Sequence, residues 1–157
     1  MHLLSPSDYQ PGADKIFSAV QRQLSSVLPH ACIEHVGSSA IPGAISKGDI
    51  DVCVAVDRDQ FDSALSTLRR LNYTEKVDTL RTEQLCMFEA PRTDVDLAIQ
   101  LIERGSTFEF FVKFRDTLRS NPVLVQEYNA IKSSGILSGQ DAYREAKSAF
   151  IERIIEA

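Results

Sequence analysis

Three cysteines, Cys32, Cys53 and Cys86, are all that the chain contains, and they lie far apart. Neither their number nor their spacing suits a disulfide framework or a zinc site, so they read as reduced, buried thiols of a cytoplasmic protein. No basic run is longer than the pair Arg69-Arg70, and 17 Lys and Arg stand against 22 Asp and Glu, a net charge of -5. That balance disfavours broad adhesion to duplex nucleic acid or an anionic membrane, and leaves room for a small polyanion held in a local pocket. No apolar run approaches the roughly 18 residues of a membrane span. Residues Met1 to Tyr9 lack the basic-then-apolar layout of a signal peptide. Neither secretion nor membrane spanning is expected.

What is present is ordinary for a soluble globular chain: 43% apolar and 25% charged residues over 157 positions. A chain of this length buries roughly 70% of its unfolded surface, and no composition shift or linker divides it, so residues 1–157 are expected to form one domain. Pro11 and Gly12 punctuate the start. Ile16, Phe17, Val20, Leu24, Val27 and Leu28 then predict a helix that Pro29 stops. Cys32 to Val36 predicts a short strand, followed by an irregular Gly37-Ser38-Ser39-Ala40-Ile41-Pro42-Gly43 loop. Asp49 to Val56 alternates Ile50, Val52, Val54 and Val56 with Asp49, Asp51, Cys53 and Ala55, a strand whose second face begins with two acids. Phe61 to Leu71 predicts a helix; Tyr73 to Val77 and Leu85 to Phe88 predict shorter strands. Asp94 to Leu101 repeats the acidic-start pattern.

The last third reads as helical. Ser106 to Leu118 carries Phe108, Phe111, Phe114 and Leu118, a stripe spaced as core. Asn121-Pro122 is an N-cap with proline at the first helical position, and a break from Gly135 to Gly139 precedes a final helix through Tyr143, Phe150 and Ile154. The fold expected is α/β, a mixed β-sheet flanked by helices with a helical C-terminal third.

Asp49 and Asp51, two apart on a strand, point to one face with backbones about 6 to 7 Å apart. Such a pair can simply be solvated. Alternatively a divalent metal relieves its repulsion, and a third acid from a neighbouring strand, Asp96 in preference to Asp94, would complete a site for Mg²⁺. Asp is depleted from strands, and its recurrence at the starts of two apolar strands favours the metal. Gly37-Ser38-Ser39 precedes Asp49 by a spacer of ten residues, Ser39 to Gly48. Glycine permits close backbone approach, and N–H groups and hydroxyls bind phosphate oxygens. Lys47 stands near enough to contact phosphate or to be an ordinary surface lysine. His35 is expected to be a hydrogen-bonded structural residue, and Arg115 and Arg119 to pair with acids on a helix surface.

The pattern apolar-Gly-Ser, a spacer of about ten, Asp-apolar-Asp-apolar and a later apolar-Asp-apolar resembles the signature of the nucleotidyltransferase superfamily, the DNA polymerase β-like fold. Within it, Ile33 to Gly43, Phe114 to Arg119, Tyr128, Lys132, Tyr143, Lys147 and Phe150-Ile151 resemble the GrpB family, also called UPF0157, from about Tyr9 to the C-terminus. That family ordinarily carries one acid after the glycine loop and His-apolar-His in the later strand. Here Lys47-Gly48-Asp49-Ile50-Asp51 and Asp94-Val95-Asp96 keep the frame with more carboxylates. The resemblance implies Mg²⁺ or Mn²⁺ on Asp49, Asp51 and Asp96, a triphosphate on Gly37, Ser38, Ser39 and Lys47, and transfer of a nucleoside monophosphate from an NTP. The acceptor, a small molecule, RNA or protein, is left open. So is the alternative of a catalytically silent nucleotide- or metabolite-binding module with a regulatory or partner-binding role.

Overall fold

The computed structural model describes residues 2–156. Apolar residues at three- and four-residue steps make α1 (Pro6–Val27), and β1 (Cys32–Val36) follows. The irregular segment 37–49 leads to β2 (Ile50–Val56), α2 (Phe61–Arg70), β3 (Thr74–Glu75), β4 (Leu85–Glu89) and β5 (Leu97–Glu103). Helices α3 (Phe110–Arg119), α4 (Pro122–Ser138) and α5 (Gln140–Glu156) complete the described chain. The sheet order is β1-β2-β5-β4-β3, with β2 and β5 parallel and the other neighbours antiparallel. This is the mixed sheet with a helical C-terminal third that the sequence predicts.

Central position explains the composition of β2. One face, with Ile50, Val52, Val54 and Val56, joins Ile99, Leu101 and Phe88 under α1 and α2. The other carries Cys53 and Ala55, which pack with Val36, Leu85 and Ile102 against Phe108, Phe111 and Val112. Both faces of the strand are therefore buried, and Asp51 is the one polar residue between Ile50 and Val56. A third cluster joins Ile41 and Ala44 of the irregular segment to Phe114, Leu118, Val125, Tyr128, Phe150 and Ile154, so the helical third covers that segment.

Expectations change at several places. Strand β2 begins at Ile50, with Asp49 in the segment before it. Helix α1 begins at Pro6 and runs through Pro11, because buried Tyr9 and Ala13 anchor its first turns and their packing outweighs the one i→i−4 bond that proline forgoes. Strand β5 begins at Leu97 rather than Asp94; the Arg92 guanidinium holds the Asp94 carboxylate at 2.7 and 2.8 Å in the preceding turn. Gly135 continues α4, since the Tyr143 ring occupies the place of a side chain: a Cβ there would lie 2.5 Å from Tyr143 Cδ1. Only Gly139, at φ +90°, breaks the helices. Cys32 is exposed, at the outer end of β1, while Cys53 and Cys86 are buried. The Asn121 cap is as expected, its side chain accepting from Val123 N and Leu124 N.

Arg115 ties α3 to the sheet edge. It is buried, and Nη1 donates to Glu34 Oε2 at 2.5 Å and His35 O at 2.9 Å, while Nη2 donates to Asp116 at 2.8 Å. Its partners are acids, but the site is an interior junction rather than a helix surface. Removing one partner of a buried pair leaves the remaining polar groups without compensation. Arg115→Ala is expected to lower unfolding free energy by about 2 to 3 kcal/mol, read as a lower urea midpoint with unchanged slope.

Candidate functional site

The site forms where the irregular segment meets β2. At Gly37 the backbone takes φ +74°, and a Cβ there would stand 2.4 Å from Asp51 Oδ2. The glycine thus admits the carboxylate against the main chain, and any side chain would displace it. Residues 38–40 form a short 3-10 turn, and their neighbours are held from three directions. From α1, the Tyr9 hydroxyl donates to Ala44 O and Gln10 Nε2 to Ile41 O, both at 2.8 Å. From α3, Arg119 Nε donates to Ala40 O at 2.8 Å, so this arginine fixes the loop instead of pairing with a surface acid. From α4, Asn129 accepts from Ile45 N and donates to Gly43 O, each at 2.9 Å.

These contacts leave a cavity of about 600 Å³ lined by Gly37, Ser38, Lys47, Asp49, Asp51 and, from the helices, a mostly aromatic and basic wall. The wall includes Phe110, Phe111, Tyr128, Lys132, Tyr143 and Lys147. Five of the seven residues singled out from the sequence therefore meet. Ser39 does not line it: its hydroxyl is buried 2.8 Å from His35 Nε2. His35 stacks on Phe17, and burial pushes its pKa down to about 4, so it is a neutral structural imidazole, as expected. Asp96 stands outside, exposed in the turn before β5, its backbone carbonyl accepting from Ile50 N at 2.8 Å. Among the described residues, no group of three His, Cys, Asp or Glu side chains is placed to hold a metal ion.

The β2–β5 register explains why. Asp51 pairs with Ala98, and Cys53 with Gln100, so the positions of β5 beside Asp51 carry a methyl group and an amide. Gln100 Nε2 donates to Asp51 Oδ1 at 3.3 Å, while the buried Gln100 Oε1 has no partner. Asp49 is half-buried and accepts from Ser46 Oγ at 3.4 Å. Burial, followed by the charge of Asp49, pushes the Asp51 carboxyl up to about 6, against a partial offset from Gln100.

Lys132 is the residue that the sequence reading assigned no role. It is buried; Nζ donates to the Ser38 hydroxyl and, at 2.6 Å, to Ile45 O, above the Tyr128 ring at 4.2 Å. Burial lowers its pKa to about 7, with Lys147 adding to the shift and Asp49 and Asp51 opposing it. A signal was available: Tyr128-Lys132 and Tyr143-Lys147 share one i,i+4 spacing, and each lysine lies over its tyrosine ring. Phe111, read as core, is half-buried and contributes to the cavity wall.

Asp51 titrates near 6 in the folded chain against 3.8 for the free side chain. Folding therefore takes up a proton between those values, and stability falls as pH rises through them. At neutral pH the ionised carboxylate costs on the order of 3 kcal/mol. Asp51→Asn is expected to raise stability at pH 7.5 by about 1 to 3 kcal/mol and to change it little at pH 4; urea titrations at both values check this. Gly37→Ala is expected to lower stability by about 1 to 3 kcal/mol through positive-φ strain and displacement of Asp51, measured by the thermal midpoint.

The family model described as GrpB protein matches residues 6–157. A UPF0157 protein of Vibrio cholerae is 44% identical over 155 residues, covering 99% of this chain and 82% of the relative. A UPF0157 protein of Halalkalibacterium halodurans is 27% identical, covering 95% and 79%. The crystal structure of the conserved protein GrpB from Enterococcus faecalis superposes with a TM-score of 0.75 at 21% identity, over 99% of this chain and 95% of that one. The Cid1 poly(U) polymerase bound to MgGTP superposes with a TM-score of 0.53 at 16% identity, over 73% of this chain and 38% of the polymerase. At such identity these superpositions establish the nucleotidyltransferase-like fold. Family model and relatives agree over nearly the whole length, and the chain belongs to the GrpB (UPF0157) family.

Proposed function

We propose that this protein is a metal-dependent nucleotidyltransferase that moves a nucleoside monophosphate from an NTP to an acceptor, with release of pyrophosphate. The observation carrying this reading is the convergence of Gly37, Ser38, Lys47, Asp49 and Asp51 on one cavity of about 600 Å³. Its size suits a small ligand. The fold is shared with a poly(U) polymerase whose structure holds MgGTP.

Asp49 and Asp51 would hold Mg²⁺ or Mn²⁺. Their donor set fits one such ion, because Mg²⁺ is commonly bound by one or two carboxylates with phosphates and water completing the shell. When bound, the ion supplies charge neutralisation on the phosphates and alignment of attacking and leaving oxygens. Asp51 is held ready by Gln100 and by the bare backbone at Gly37. Ser38 and Lys47 offer a hydroxyl and an ammonium to phosphate oxygens. Asp96, outside the cavity, is not used. We place the protein in the cytoplasm, where free thiols such as Cys32 stay reduced; among the described residues no helix is long and apolar enough to cross a membrane.

One observation favours a second reading, nucleotide binding without turnover in a regulatory or partner-binding role. Ala98 and Gln100 beside Asp51 supply no third carboxylate for a second ion. Labelled NTPs with Mg²⁺ or Mn²⁺ and a cell extract separate the two. Transfer of label that Asp51→Ala lowers by about 100-fold or more, a loss typical of a metal-holding carboxylate, supports the transferase. Calorimetric NTP binding without pyrophosphate release supports the silent module, and the absence of both removes the nucleotide site.

A further inference from the structure

One buried cation of the cavity has no anionic partner. Lys132 is 4% exposed, yet none of the ion pairs among the described residues includes it. Its ammonium instead donates to a hydroxyl, Ser38 Oγ, and a carbonyl, Ile45 O, and its third side lies over the Tyr128 ring. Burying an ammonium without a counter-charge is expensive, and a chain that needed only to pin Ile45 O could do so with a neutral amide. The same cavity holds two further lysines, Lys47 at the rim and Lys147 on α5. The helical side is thus short of negative charge, while Asp49 and Asp51 stand on the strand side.

We propose that Lys132 is the anion anchor of this cavity, binding a phosphate oxygen of the ligand beside the Ser38 hydroxyl. This deepens the nucleotide-site reading and rests on it for the class of ligand, a phosphate-bearing molecule, but it needs no metal. Ser38 then has a defined part: its hydroxyl, already bonded to Lys132 and 3.5 Å from the Tyr128 hydroxyl, turns with the ammonium toward the incoming oxygen.

A pH signature follows. The groups acting on Lys132 are Asp49 just before β2, Asp51 in β2, Lys147 from α5, Tyr128 on its own helix, and Tyr143 from α5 on the same cavity wall. The two acids favour the ammonium, Lys147 opposes it, and the phenols are neutral near pH 7. With the amine titrating at about 7, anion binding draws a proton onto Lys132 at higher pH. Affinity through this contact therefore weakens as pH rises above 7.

The test uses the full chain with inorganic tripolyphosphate and EDTA, followed by calorimetry from pH 6 to 9. Lys132→Met is expected to weaken binding about 10- to 100-fold, the worth of one charge-assisted hydrogen bond. Lys132→Arg carries a charge that does not titrate in this range. The ratio of wild-type to Lys132→Arg affinity, in which the ligand's own ionisation cancels, is expected to fall by about tenfold between pH 7 and 9. Undetectable binding by the wild type, equal binding by Lys132→Met, or a constant ratio to Lys132→Arg would each overturn the anchor; the ratio decides if the Met variant does not fold. Tripolyphosphate binding through Lys132 with no added affinity for Mg-NTP leaves the anchor standing and sinks the nucleotide reading. Mg-NTP binding undiminished in Lys132→Met does the reverse.

Discussion

The segment between β1 and β2 has to be irregular, and its polar backbone has to be satisfied inside the protein; most of the remaining architecture serves that requirement. Backbone groups withdrawn from water need partners, and here they come from Tyr9 and Gln10 on α1, Arg119 on α3, and Asn129 and Lys132 on α4. Three helices distant in sequence thereby converge on one loop. Ile41 and Ala44 bury their side chains among the aromatic residues of the C-terminal helices, so the apolar and polar constraints act on the same stretch. The helical third is in this sense a clamp. Arg115, fixed to Glu34 and the His35 carbonyl, sets where α3 crosses the sheet edge and hence where the clamp closes.

The electrostatics of the cavity are those of a site held away from its own optimum. Burial opposes the charge on Asp51 and the charge on Lys132 alike, one pushed up and the other down. The two groups do not pair with each other. Each is instead held by neutral partners, Gln100 for the acid and Ser38 with Ile45 for the amine. Strain of this kind persists where the surrounding packing over-determines it and where a ligand can relieve it. A molecule carrying both a cation for the acids and an anion for the amine relieves both at once, and a metal-bound polyphosphate is the simplest of that description.

Much of the fold was legible because it depends on local periodicity. Cys32–Val36, the strand ending at Val56 and the Asn121 cap follow from alternation, apolar runs and capping chemistry. The two misread helix boundaries share one cause, tertiary contact overriding a local breaker: Tyr9 carries α1 through Pro11, and Tyr143 fills the space that makes Gly135 admissible within α4. Asp94 and Asp96 misled because alternation was continued one turn too far, where the Arg92–Asp94 contact had already fixed a turn. Lys132, part of the family resemblance, has no role legible in the sequence, because its burial is a property of how α4 lies against the loop.

The sequence by itself determined the family, the mixed sheet, and the pairing of a glycine-serine loop with two acids at the start of one strand, since each is written in near-neighbour spacing. Which residues actually meet was decided by tertiary structure alone. Strand register set Ala98 and Gln100 beside Asp51, and the helical clamp brought Lys132 to Ser38 across a long stretch of chain. Register and helix docking are fixed by the summed packing of the whole core, and no single segment carries that information.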